Sequence, residues 1–407
     1  MAPDRWDDGE PDRRDDEGTG GAGSENVGGV RDHGRMTTSA TPTPEPTPEP
    51  TPATSSATTT TPAGGPTATS PADPAAAPTA LRLGVAFVPN VPPERLRSLA
   101  QAADAAGLDE LWVWEDCFKE SGIASAAAAL AWTERITVGV GLLPAPLRNV
   151  GLTAMEIATL DRLFPRRFLA GVGHGVQSWM GQVGARVESP MTLLREYTGA
   201  LRRLLSGERV SVQGRYVTLD DVVLDWPPLT PPALLLGGGG PKSLRLAGEL
   251  GDGTLLSAAL SDDEVRDACV LILTANAEAR AGTGPAGSGP LGESGPVGES
   301  GPVGESGSVG GSGHDITATL IMATGPGAQE RVDAEVVRWD KPAGQGLGVA
   351  GDAATIAASV RRLASFGITA VVVQPTEDEP DLEEFVGFLG REVRPLLSSP
   401  GLIGVQA

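Results

Sequence analysis

Between Pro232 and Gly253 the chain reads PALLLGGGGPKSLRLAGELGDG. An apolar strand pattern runs into Gly237, Gly238, Gly239 and Gly240, then directly into a helical pattern for which Pro241 suits the first position. With no side chain in the turn, backbone can approach a ligand closely, and the free N–H groups of the new helix favour an anion. Lys242 adds positive charge and Ser243 a hydroxyl at the same place. The competing reading is a tight turn without a ligand. A second cluster is Trp114-Glu115-Asp116-Cys117-Phe118, where Asp116 lies between aromatics. A carboxylate partly desolvated by such neighbours has its pKa raised toward neutrality and can carry a proton. A solvated loop carboxylate is the equal alternative. A third is His174, flanked by Gly173 and Gly175 and one of three histidines; His33 and His314 fall in segments that read as flexible. Imidazole titrates near neutrality, so His174 is a candidate acid, base or ligand contact. Gln374, at the end of an apolar run, could bond a ligand or merely end a strand, and Arg148 could hold phosphate or cap a helix. Paired histidines, cysteine clusters, Gly-x-Ser-x-Gly elbows and Walker loops are all missing from the sequence, so no metal site is expected.

These residues fall just after short apolar runs, and the runs alternate with longer helical patterns, which predicts repeated βα units around a parallel sheet. Eight strands are expected: 81–87, 110–114, 136–143, 167–173, 233–238, 253–258, 316–323 and 369–375. Eight is the number that closes an α/β barrel, a (βα)8 fold, with an open doubly wound sheet as the alternative. PPERLRSLAQAADAAG, NVGLTAMEIATLDRLF, PMTLLREYTGALRRLLSG, DAATIAASVRRLASFG and DLEEFVGFLGREVRPLL carry apolar residues at helical spacing. In a barrel the loops after the strands build the pocket, which is where Asp116, His174 and the glycine run lie. An insertion at 208–232 holds VSVQGRYVTLDD, a hairpin pattern turning at Gln213 and Gly214.

Outside the barrel, residues 1–80 combine an acidic Gly-rich start with Thr/Pro/Ala repeats and hold too few apolar residues to form a core, so a disordered tail is expected. They carry 13 acidic and five basic residues, leaving most of the net charge of −21 on the rest of the chain. An acidic body argues against nucleic acid or anionic membrane as partner. Residues 282–313 repeat GPVGES-like hexamers and read as a flexible insert, and 398–407 as a short tail. No secretory signal or membrane span is visible. Cys117 and Cys269 suit reduced thiols in a cytoplasm.

The barrel region, 81–397, resembles the bacterial luciferase-like family of flavin-dependent oxidoreductases. The resemblance is carried, in order, by LGVAF, AADAAGLDELWVWEDCF, GVGLLPAPLRN with AMEIATLDRL, RFLAGVGHGVQSW, GGGGPKSLRLAGELGDG and GITAVVVQP. It implies a barrel that binds FMN or the deazaflavin coenzyme F-420 at the carboxyl ends of its strands. The activity implied is oxygenation of a small organic substrate with reduced FMN and oxygen, the flavin coming from a partner reductase. The alternatives are direct hydride transfer with the deazaflavin and a non-catalytic flavin-binding barrel. The resemblance further implies a bulge with a non-proline cis peptide at or near Gly141-Leu142, cofactor contacts from Gly141, Leu142, Gly173 and Gly175, phosphate held by Gly238, Gly239, Gly240, Lys242 and Ser243, and pairing into homodimers. Asp116 and His174 are the expected catalytic residues. Cys117 stands where deazaflavin relatives carry histidine, and Val176 where some carry a glutamate, so the best-known deazaflavin chemistries do not transfer directly. Substrate choice is expected to rest on the segments 208–232 and 325–352.

Overall fold

The computed structural model describes residues 81–282 and 313–398; the expected tail, the repeat insert and the C-terminal residues beyond 398 lie outside the described residues. The eight expected strands are present. In chain order they are β1 (Arg82–Phe87), β2 (Glu110–Val113), β3 (Thr137–Pro144) and β4 (Phe168–Gly173); a hairpin of β5 (Val210–Gln213) and β6 (Thr218–Val222) intervenes; then follow β7 (Leu234–Gly237), β8 (Gly253–Leu255), β9 (Asp315–Ala323), a two-residue β10 (Val349–Ala350) and β11 (Ala370–Pro375). All eight barrel strands run parallel, in the order β1-β2-β3-β4-β7-β8-β9-β11. Two pairings decide between ring and open sheet. β8 pairs with β9 through Thr254 and Ile316, and β11 returns to β1 through Ala370 and Arg82. The sheet is a closed barrel.

Sequence and sheet agree because parallel strands are covered on both faces and read as unbroken apolar runs. β2 and β7 are buried at every position. The helix Leu96–Ala105 buries Leu96, Leu99, Ala100 and Ala103, and Gly107 follows it at φ +81, a left-handed turn that ends the helix. Helices Val150–Leu163 and Ala353–Ala364 start on side-chain caps: Gly151 N–H donates to Asn149 Oδ1 at 2.9 Å and Thr355 N–H to Asp352 Oδ1 at 2.9 Å. The hairpin is present too, but its turn is Gly214–Val217, because the Glu196 carboxylate accepts N–H donors from Arg215, Tyr216 and Val217.

The amino ends of the strands form a foot held by ion pairs. Glu110, buried, accepts from Arg82 Nε at 2.6 Å and from Trp112 Nε1 at 2.8 Å. Arg394 forks onto both oxygens of Asp109, at 2.7 and 2.8 Å, tying the last described helix beneath the barrel. His314 is buried here, its Nε2 2.8 Å from Thr254 Oγ1, which corrects the expectation of a flexible segment; His33 is outside the described residues. Chain enters the foot at Arg82, leaves it after the helix Asp262–Arg280 and re-enters at Asp315.

Candidate active site

At the carboxyl ends of the strands lies a cavity of about 560 Å3, within the range of small-molecule sites. Its walls come from every quarter of the ring: Val88 and Pro89 after β1, Trp114 and Asp116 after β2, Gly141 and Leu142 on β3, Val176 after β4, Gly237 and Gly238 at β7, and Gln374 on β11.

One side is a cradle for a flat group. The β3–β4 register slips between Val140 and Leu143, so Gly141 and Leu142 form a bulge. The Gly141-Leu142 peptide is cis, at the place the resemblance implied, and Cys117-Phe118 is cis as well. Leu142 reaches across to the ends of β4 and β7. A Cβ on Gly173 would stand 2.6 Å from its Cδ2, and one on Gly237 at 2.3 Å. A larger residue at either position would force the Leu142 side chain to move. Underneath, Trp112 packs over Gly139, whose Cβ would come within 2.6 Å of the indole.

The segment WEDCF separates two carboxylates with different jobs. Glu115 is fixed: it accepts Gly122 N–H at 2.8 Å and pairs with Arg148 at 2.6 Å, while Arg148 also reaches Glu156 at 2.8 Å. Arg148 is therefore committed to carboxylates. Asp116 faces the cavity, and burial, reinforced by the nearby Glu120 charge, pushes its pKa up to about 6. Glu120 is raised by burial too, and its Oε1 is buried without a partner.

The remaining expected residues stand back from the cavity wall. His174 is buried, with Nδ1 2.8 Å from the Gly175 carbonyl, and Val176 rather than His174 lines the cavity. Gly173 and Gly175 shape that strand end, Gly175 at φ +68, without lining it. Of the glycine run, Gly237 and Gly238 line the wall, whereas Gly239, Gly240, Lys242 and Ser243 lie beyond it. Ser243 is buried and its hydroxyl donates to the Gly240 carbonyl at 2.9 Å while accepting Gly240 N–H at 3.2 Å, which caps the helix Pro241–Leu250. Lys242 is exposed, with no ion pair among the described residues.

Four further residues of the cavity wall carry no signal of that role in the sequence. Helix Ala328–Arg338 and the residue after it deliver Glu335, Arg338 and Trp339 to the cavity, and Trp179 follows β4. Trp339 meets Trp114 edge to face, centroids 5.9 Å apart. Glu335, buried, accepts from Gln374 Nε2 at 2.9 Å and Glu377 N–H at 3.0 Å, and pairs with Arg338 at 2.7 Å. The segment 325–352 thus reaches the cavity as expected, but 208–232 does not. Its Tyr216, Val217 and Thr218 line a separate cavity of about 180 Å3 with Arg148 and Tyr197. The 4-residue spacing of Val332 and Val336 was the available helix signal.

Residues 58–287 match the family model described as luciferase-like monooxygenase. The chain belongs to the luciferase-like monooxygenase family. Two curated relatives align with it: a 5,10-methylenetetrahydromethanopterin reductase of Methanolobus tindarius, 30% identical over 45% of this chain and 56% of the relative, and an F-420-dependent glucose-6-phosphate dehydrogenase of Beutenbergia cavernae, 31% identical over 44% of this chain and 57% of the relative. The alignments thus span little more than half of each relative's length. Among solved structures, an F-420-dependent secondary alcohol dehydrogenase holding an F-420–acetone adduct shares the fold, with TM-score 0.63 and 19% identity over 79% of this chain and 100% of that one. A flavin-type ring fits the luciferase-like site on this chain's own geometry: the bulge and the β7 end line one wall with Gly141, Leu142, Gly237 and Gly238, and the volume suits a ring and a small partner.

Proposed function

We propose that this luciferase-like chain is an oxidoreductase that moves a hydride between the deazaflavin coenzyme F-420 and a small organic molecule. One observation carries the choice: Asp116 lines the cavity, titrates near 6 and, unlike Glu335 and Glu377, has no ion pair among the described residues. Hydride delivery to a carbonyl carbon leaves an oxygen that must gain a proton, and a carboxylic acid of this pKa can give one near neutral pH. The curated relatives support the reading, since one of them is named for F-420 dependence. Gly141, Leu142, Gly237 and Gly238 would hold the deazaflavin ring, which would supply or take the hydride. Gly239, Gly240 and Lys242 would hold its phosphate at the start of helix Pro241–Leu250. Leu142 and Trp112 fix the ring plane and exclude water. Asp116 holds the proton at its carboxyl. His174 braces the loop after β4 through the Gly175 carbonyl and positions Val176.

The family description favours a second reading, in which reduced FMN from a partner reductase and oxygen act on the same substrate. Fluorescence titration with FMN and, separately, with F-420 distinguishes the two, and the first reading requires tighter F-420 binding with turnover under anaerobic conditions. Binding without turnover of either kind would leave a non-catalytic flavin barrel. Two features of the outside belong to the same proposal. Helix Gly122–Trp132 carries no charged residue and exposes Ala124 and Ala131, while helix Val150–Leu163 exposes Leu152, Met155 and Leu163. These helices pair with those of a second copy to form a homodimer, which sedimentation of the Met155→Glu variant tests. The free thiols Cys117 and Cys269 suit a cytoplasmic enzyme.

A further inference from the structure

Four of the chain's seven tryptophans, Trp112, Trp114, Trp179 and Trp339, line this single cavity, in a sequence only 4% aromatic. One contact among them, between Trp114 and Trp339, spans part of the ring. In ring order β2 and β9 are separated by β11 and β1, so the contact between Trp114, after β2, and Trp339, after the helix that follows β9, passes over the β1/β11 quarter. The glycine-backed cradle of β3, β4 and β7 lies in the other part of the ring. On the β1 and β11 side of the ring the cavity is lined by Val88 and Pro89 after β1 and by Val372 and Gln374 on β11, with Val337 from the helix Ala328–Arg338.

Charge and hydrogen-bond capacity restrict what this quarter can hold. Arg338 is committed twice, to Glu335 at 2.7 Å and to Glu377 at 2.6 Å, so two carboxylates share one guanidinium and the local balance is negative. On the cavity wall Lys119 and Arg338 face Asp116, Glu335 and Glu377, with a fourth carboxylate, Glu120, beside Lys119, so the wall as a whole disfavours an anion. Glu335 also takes the Gln374 amide N–H, which orients the other end of that side chain; Gln374 Oε1 is buried and lacks a donor. The hydroxyl of Thr317, another cavity residue, is likewise buried without a partner and can donate or accept. Unmet polar atoms are costly unless a ligand or water pairs with them, and for Gln374 Oε1 that partner must be a donor.

We propose that the quarter roofed by Trp114 and Trp339 is the substrate half of the site and takes an uncharged, planar aromatic molecule bearing a hydroxyl or N–H donor, and that it rejects phosphorylated or other anionic substrates. The inference rests on the reading that the glycine-backed half holds the flavin-type ring. Rings lie against the indoles, the donor meets Gln374 Oε1, and Glu335 acts as a positioning residue that fixes the Gln374 amide.

The test is calorimetric titration of the full chain with naphthol, naphthalenesulfonate and glucose-6-phosphate, with F-420 affinity followed separately by fluorescence quenching. Naphthol should bind at least about tenfold more tightly than either anion, and Trp339→Leu should weaken naphthol about tenfold while leaving F-420 affinity within about twofold. Gln374→Leu should weaken naphthol but not methylnaphthalene, which has no donor. Trp114→Leu serves as the second roof variant should Trp339→Leu fail to fold. The proposal is overturned if either anion binds as tightly as naphthol, if neither roof variant changes naphthol affinity, or if the roof variants weaken F-420 equally. If neither F-420 nor FMN binds while naphthol binding still depends on Trp339, the substrate assignment stands and the flavin reading falls.

Discussion

The foot and the mouth of the barrel treat polar groups in opposite ways. At the foot, Glu110, Asp109 and Asp104 are saturated, Asp104 alone accepting the N–H groups of Glu134, Arg135 and Ile136, although the buried His314 Nδ1 there has no hydrogen bond. At the mouth, Gln374 Oε1, Thr317 Oγ1, Thr376 Oγ1 and Glu120 Oε1 are buried without partners, and Asp116 carries a pKa near 6. Polar satisfaction holds the ring closed at one end, while unmet capacity at the other is available to ligands. Stability and chemistry are therefore separable in this chain, and substitutions should sort by end.

The sharpest way to break that separation is Glu110→Gln, which keeps an acceptor for the Trp112 N–H but leaves Arg82 with only the Asp315 carboxylate at 3.4 Å. A loss of about 3 kcal/mol in urea unfolding is expected, with F-420 affinity of the folded fraction intact. Lost cofactor affinity at full stability would contradict the division. Next, Asp116→Asn should lower turnover about 100-fold with cofactor affinity preserved, and wild-type reduction of substrate should fall as pH rises through about 6.

The same substitution sharpens the comparison through stability. Because the folded pKa of Asp116 lies above its usual 3.8, the native state holds extra protons between about 4 and 6; stability falls as pH rises across that window and then levels. Asp116→Asn should thus gain on the order of 1–2 kcal/mol near neutral pH and nothing below about pH 3, read from paired urea curves. His314 works at the other end with the opposite slope. Burial pushes its pKa down to about 4, so the unfolded chain takes up the proton first and wild type loses stability as pH falls below 6.5. His314→Gln should flatten that slope by about 1 kcal/mol at pH 5, the smallest of these effects.

The strands were legible because a parallel barrel buries both faces of each, which leaves apolar runs such as ALLLGG and TAVVVQP between breakers. Asp116 was legible because its aromatic neighbours are adjacent in sequence. Glu335, Trp339 and the orphaned acceptor of Gln374 were not, since their meaning comes from a helix folded over the mouth, far from β2 and β11 in sequence. His174 misled in part: its glycines announced a close approach, but the approach is made by backbone and by Leu142, and the imidazole turns to its neighbour's carbonyl. His314 was hidden by its Gly/Ser surroundings, although a β-strand begins one residue later.

Every junction between the described barrel and the rest of the chain sits on one side. Arg82 opens β1, Arg280 closes its helix and Asp315 opens β9 at the foot, where Arg394 is also anchored. A linkage attached at the described foot itself, beside Arg82, Arg280 or Asp315, would leave the opposite rim pointing at solution, so an immobilised preparation should keep full access for reactants.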